Sequence, residues 1–154
     1  MTIDASLAAT LSAVGNVMKA AHDSWWIIAS AAVALHGADA GRVADVDVLL
    51  SLGDARRLLP PLGIEVRPGA AHPLFQSDVF GTWTAQPLPV EFMAGFCHRS
   101  GDRWLPVAPR TRQAVAIGAV HVFVPDHAEL GDMLRRFGRP KDLVRADRLA
   151  ALLR

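Results

Sequence analysis

The fold and the chemistry both turn on residues 43 to 51, VADVDVLLS, where two carboxylates, Asp45 and Asp47, stand one residue apart in an otherwise apolar run. The segment alternates briefly and then becomes continuously apolar, as a strand does on entering a sheet covered on both faces. Side chains two apart on a strand share a face, so the two acids point the same way. Carboxylates that close repel and are costly to bury. A fold keeps them where a cation neutralises them or where the strand end is open to water. An all-oxygen pair suits Mg²⁺ better than zinc. Taken alone, the pair reads equally well as a solvated strand tip that binds nothing.

Upstream, WWIIAS (residues 25 to 30) is a short run of β-formers, and AAVALHG (residues 31 to 37) is an Ala-rich helix whose Gly37 suits a C-terminus. Ser30 closes the strand and opens the helix, where backbone N–H groups can hold a phosphate, although an N-cap serine is common for its own sake. Before it, Leu7, Leu11, Val14 and Met18 recur at helical steps and predict an amphipathic helix over residues 6 to 21 that packs on a sheet. After the D-x-D segment, Asp54 to Leu59 reads as a helix ended by Pro60 and Pro61. Strands are expected at LGIEVR (62 to 67), LFQSDVFGTW (74 to 83), LPVEFMAGF (88 to 96) and AVHVFVP (119 to 125), together a β meander. The third of these carries Glu91, an acid alone among apolar residues. If its strand neighbours the D-x-D strand, three carboxylates converge.

Asp126 and Glu129 have capping-box spacing ahead of a helix stopped by Gly138, and Pro140 opens another. In that last helix Leu143, Ala146, Leu149, Ala150 and Leu153 form the expected apolar face, while Lys141, Arg145 and Arg148 line a second. The final twenty residues hold seven cations against two acids, an excess of +5 in a chain whose formal net charge is +1. Such a run is usually a solvated helix face; its functional reading is phosphate contact. The overall balance argues against a surface devoted to wrapping nucleic acid.

At 154 residues, 51% apolar and 20% charged, the chain matches one ordinary domain and no disordered or fibrous class. Its longest apolar run is about half of what a bilayer demands, and the N-terminal segment lacks a cationic start, so no membrane association and a cytoplasmic location are expected. Cys97 is the only cysteine, which removes disulfides and multi-cysteine metal sites and reads as a buried small hydrophobe. The six histidines show no ligand spacing. Serine-hydrolase, P-loop and Rossmann signatures are absent, and the four tryptophans read first as packing residues.

The ordered set WIIAS-AAVALHG, DVDVLLS and VEFMAG resembles the minimal nucleotidyltransferases of the DNA-polymerase-β-like superfamily. The C-terminal GRPKDLVRADRLAALL is similar to the Arg-x-Lys-Asp helix of AbiEii-type toxins and related small nucleotidyltransferases. The resemblance implies an α/β (α+β) fold over 1–154, a mixed sheet flanked by helices with the C-terminal helices packed on the core. It implies Mg²⁺ held by Asp45, Asp47 and Glu91, which are also the catalytic acids, and nucleotide contacts from Ser30, Lys141 and Arg145. The implied activity moves an NMP group from a nucleoside triphosphate to an acceptor hydroxyl, releasing pyrophosphate. The acceptor is open among tRNA, protein and small molecules, and a homodimer is a further expected partner. Two residues depart from the pattern: Ala29 stands where glycine precedes Ser30, and Glu91 where aspartate is commoner. They keep a second reading in view, a catalytically silent module that binds nucleotide, RNA or a partner protein.

Overall fold

The computed structural model describes residues 3–69 and 72–153. Along the chain run helix α1 (Ala5–Met18), strand β1 (Trp26–Ile28), helix α2 (Ala29–Leu35), strand β2 (Val46–Leu49) and helix α3 (Leu52–Leu58). Strands β3 (Phe75–Gln76), β4 (Val79–Trp83), β5 (Val90–Ala94), β6 (Cys97–Ser100), β7 (Arg103–Pro106), β8 (Gln113–Ile117) and β9 (Val120–Val124) follow. Helices α4 (His127–Phe137) and α5 (Pro140–Ala151) complete it. Helix starts are fixed by short polar side chains that satisfy otherwise unpaired N–H groups. Asp4 accepts from the Leu7 N–H, Ser51 from Asp54 and Asp126 from Glu129. Gly138, at φ 72°, ends α4 in the left-handed conformation that glycine takes without penalty.

The main sheet has the order β1-β2-β5-β4. Strand β2 pairs parallel with β5, whereas β1–β2 and β4–β5 are antiparallel. The register puts Ile27, Val46, Val48, Val90 and Phe92 on one face, all buried in the main core with Leu7, Leu11 and Val14 of α1. Helix α1 also packs against β9. The opposite face carries Ile28, Asp47, Leu49, Glu91, Met93 and Phe80, and a second apolar cluster covers part of it through Met133 and Phe137 of α4. This is a mixed sheet with helices on both faces, as the sequence implied.

The middle of the chain departs from a simple meander. Residues 62 to 67 form no strand. Gly63 takes φ 77°, the segment meets β4 only at the Arg67–Phe80 bridge, and Ile64 packs so tightly on Gly81 that a Cβ there would lie 2.5 Å from it. The expected strand 74 to 83 is two strands in different sheets, because the chain breaks at buried Ser77 and β3 joins β6 while β4 joins β5. Strands β6, β7 and β8 lie where no strand was expected. On α5, Ala146 and Leu149 are buried, but Leu143 and Leu153 of the expected apolar face are exposed. Among the described residues, no helix is long and apolar enough to cross a membrane.

Candidate active site

The parallel pairing of β2 with β5 sets Asp47 directly opposite Glu91, and Asp45 sits on the lead-in to β2. Carboxylate oxygens of Asp45, Asp47 and Glu91 all lie within 4.8 Å of one another. Oδ1 of Asp47 is buried without a hydrogen-bond partner. Burial first, then the charges of Asp45 and Glu91, push the Asp47 carboxyl well above the usual carboxylate range, and Arg139 only partly opposes them. Three converging acids, one with an orphaned oxygen, fit a hard divalent cation coordinated by oxygen.

Arg139, the residue before α5, is the cation that the structure brings to these acids and that the sequence reading left out. Its Nε and Nη2 donate to the two oxygens of fully buried Asp142, at 2.6 and 3.0 Å, and the Asp142 carboxylate also accepts from the Arg139 backbone N–H. The guanidinium lies 4.9 Å from the Phe75 ring centroid. A side chain so fixed by a bidentate partner is aimed before any ligand arrives. The signal was in the RPKD motif, three residues from arginine to aspartate across a helix-opening proline.

The other expected nucleotide contacts are placed differently from one another. Ser30 is buried in the first turn of α2, next to Ala29, whose φ of 59° is the left-handed turn that glycine would make. Lys141 is exposed on the first turn of α5. Arg145 donates to the carbonyls of Ala40 and Arg42, and Arg148 to that of Asp39, so two of the three aligned cations hold the loop that leads into Asp45.

Beside the acids lies a cavity of about 330 Å³. Asp47, Glu91 and Arg139 line it beside Ala29, and its wall also includes Phe75, Phe80, Met93, Phe96 and Phe137 together with polar His72, Gln76 and Ser77. Met93 and Phe96 also border a wider cleft of about 710 Å³ that continues along the sheet toward Leu49 and Trp26. Trp26 is fixed there by its indole N–H, which donates to the Thr111 carbonyl, whereas Trp83 packs on Phe92 in the core. Cys97, expected to be buried, is half-buried on the wall of this cleft, and burial together with Asp78 pushes its thiol pKa up. His36 is occupied by the Pro125 carbonyl.

No protein-family model matches the chain, and no curated protein is similar to it in sequence. Solved structures are similar in fold. A candidate nucleotidyltransferase of Thermotoga maritima, TM1012, superposes with a TM-score of 0.70 at 18% identity, over 94% of this chain and 90% of that one. The antibiotic-resistance factor ANT(2″)-Ia in solution gives a TM-score of 0.59 at 11% identity, over 99% of this chain and 86% of that one. The crystal structure of ANT(2″)-Ia in complex with adenylyl-2″-tobramycin gives 0.54 at 13% identity, over 94% of this chain and 88% of that one. Particular closeness to AbiEii-type toxins is not among these likenesses; what they establish is the architecture, and the chain has the nucleotidyltransferase fold.

Proposed function

We propose that residues 1–154 form a single nucleotidyltransferase-like unit that moves an NMP group from a nucleoside triphosphate to an acceptor hydroxyl. The observation that carries this reading is the convergence of Asp45, Asp47 and Glu91, two of which, Asp47 and Glu91, line a cavity, with one buried oxygen of Asp47 unpartnered. In this reading the three acids hold Mg²⁺, which when bound offsets phosphate charge and lowers the pKa of the acceptor hydroxyl. The acceptor oxygen bonds to the α-phosphorus, the bond from that phosphorus to the bridging oxygen breaks, and pyrophosphate leaves with the electron pair. Glu91 takes the hydroxyl proton. Arg139, held in place by Asp142, meets negative charge on the transferring phosphoryl group. The turn at Ala29 and Ser30 offers backbone N–H groups to the phosphates. Lys141 lies outside the cavity and its contact would be with the outer end of the triphosphate; Arg145 serves the site by fixing the loop ahead of Asp45.

The ANT(2″)-Ia complex contains adenylyl-2″-tobramycin. Here the cavity wall beyond the acids combines Phe75, Phe80, Phe96 and Phe137 with polar Gln76, Ser77 and His72, which favours a flat body with polar edges in the substrate. Ala29 favours the second reading, a catalytically silent module that binds nucleotide, RNA or a partner protein, because a methyl group occupies a left-handed turn where glycine would leave the backbone open to close approach.

Titration calorimetry with each of the four ribonucleoside triphosphates, with and without Mg²⁺, tests the site. We expect metal-dependent binding that weakens by more than about 100-fold in the Asp45→Asn/Asp47→Asn variant, since even partners behind metal ligands are worth 10–100-fold. Equal binding by the variant would sink the assignment, and metal-independent binding by the wild type would favour the silent module.

A further inference from the structure

Every large apolar side chain that is strongly exposed among the described residues belongs to α5 or its last turn: Leu143 at 41%, Val144 at 47%, Leu152 at 45% and Leu153 at 76%. On the helix Leu143, Val144, Asp147, Arg148, Ala151 and Leu152 fall within one solvent-facing half, opposite buried Asp142, Ala146 and Leu149. Their order is self-complementary. Reflected about the midpoint between Asp147 and Arg148, Leu143 exchanges with Leu152, Val144 with Ala151, and Asp147 with Arg148. Two copies of this helix crossing antiparallel on a two-fold axis at that midpoint would set leucine on leucine at both ends. Valine would face alanine inside them, and an aspartate would face an arginine twice at the centre.

We propose that the chain pairs with a second copy of itself through the exposed face of α5, antiparallel and centred between Asp147 and Arg148. An isologous contact requires one patch to be complementary to itself, and this arrangement of apolar and opposite charges meets that requirement without a second surface. A parallel pairing would stack Asp147 on Asp147 and Arg148 on Arg148, so the charges select the antiparallel direction. A helix of this length covers roughly 400–500 Å² per copy, at the low end of specific interfaces, so the dimer is a weak one that forms only as the concentration rises through the micromolar range.

Sedimentation velocity of the full chain from 1 to 500 µM, roughly the range such an interface calls for, reads the association directly. We expect a concentration-dependent monomer–dimer equilibrium. Val144→Asp should raise the dissociation constant at least tenfold with the circular dichroism spectrum and melting temperature retained. Asp147→Arg and Arg148→Asp should each weaken the dimer, and the two together should restore it. This last result separates the proposal from the intramolecular pairs Arg135–Asp147 and Arg148–Asp39, which the double variant also breaks. A chain monomeric throughout the range overturns the proposal, as does a dimer indifferent to Val144→Asp or a double variant no tighter than the single ones. Arg148→Asp provides the reading should Val144→Asp fail to fold.

Discussion

Ala29 carries the strand-to-helix turn at φ 59°, where an L side chain crowds its own backbone at a cost of about 1–2 kcal/mol. The sequence showed that glycine was missing here, but not that the backbone makes the glycine turn regardless. Ala29→Gly should relieve that strain and raise unfolding stability by about 0.5–1 kcal/mol after the entropy that glycine adds to the unfolded chain, measured by urea denaturation. Glu129 shows the opposite economy. Burial raises its pKa, but the Thr111 hydroxyl, the N–H groups of Arg110 and Thr111, and the charge of Arg136 outweigh that and hold it below the ordinary glutamate value. A carboxylate with a depressed folded pKa contributes stability above its unfolded pKa and loses it as pH falls through the folded one. Glu129→Gln should therefore lower stability by about 1–2 kcal/mol near neutrality and flatten the acid limb of stability against pH, below about pH 4. Its spacing from Asp126 was legible, and Asp126 caps the helix, but only half of the capping box forms: the Asp126 N–H donates to the Thr111 hydroxyl, and the Glu129 carboxylate instead ties down the loop before β8, joining residues too far apart in sequence for spacing to reveal.

Among the elements, β2 and β5 were readable because each is an apolar run interrupted by acids, and the site follows from their being neighbours. That adjacency is a property of the sheet, and no local pattern encodes it. Strands β6, β7 and β8 escaped because their alternation is polar and broken, although the hairpin turns are marked: Gly101 and Asp102 join β6 to β7, and Gly118 and Ala119 join β8 to β9. Helix α5 was placed by Pro140 and its periodicity, yet its apolar residues divide between core and solvent, since buried Asp142 takes a core position. Asp142→Ala should cost about 2–4 kcal/mol by chemical denaturation, because it removes a buried carboxylate together with the three hydrogen bonds that hold Arg139. Triphosphate affinity should fall with it.

For the whole molecule, a sheet with one apolar face and one mixed face explains why core and site share the same short strands. The alternation that buries Val46 and Val48 necessarily presents Asp47 and Leu49 to the other side. Closing the chain upon itself is equally general. Arg145 reaches back across 105 residues to the Ala40 carbonyl, and its Nη2 donates to the carbonyl of Arg42 at 3.3 Å. That carbonyl belongs to the peptide bond trypsin would attack after Arg42, whose side chain is exposed. While the guanidinium of Arg145 holds it, the bond cannot stretch into a protease cleft. Arg145→Ala should speed limited trypsin cleavage at Arg42 severalfold, read by mass spectrometry of the fragments. The last helix thus acts as a seal on an early scissile bond, and proteolytic lifetime becomes a direct measure of how firmly the C-terminus is docked.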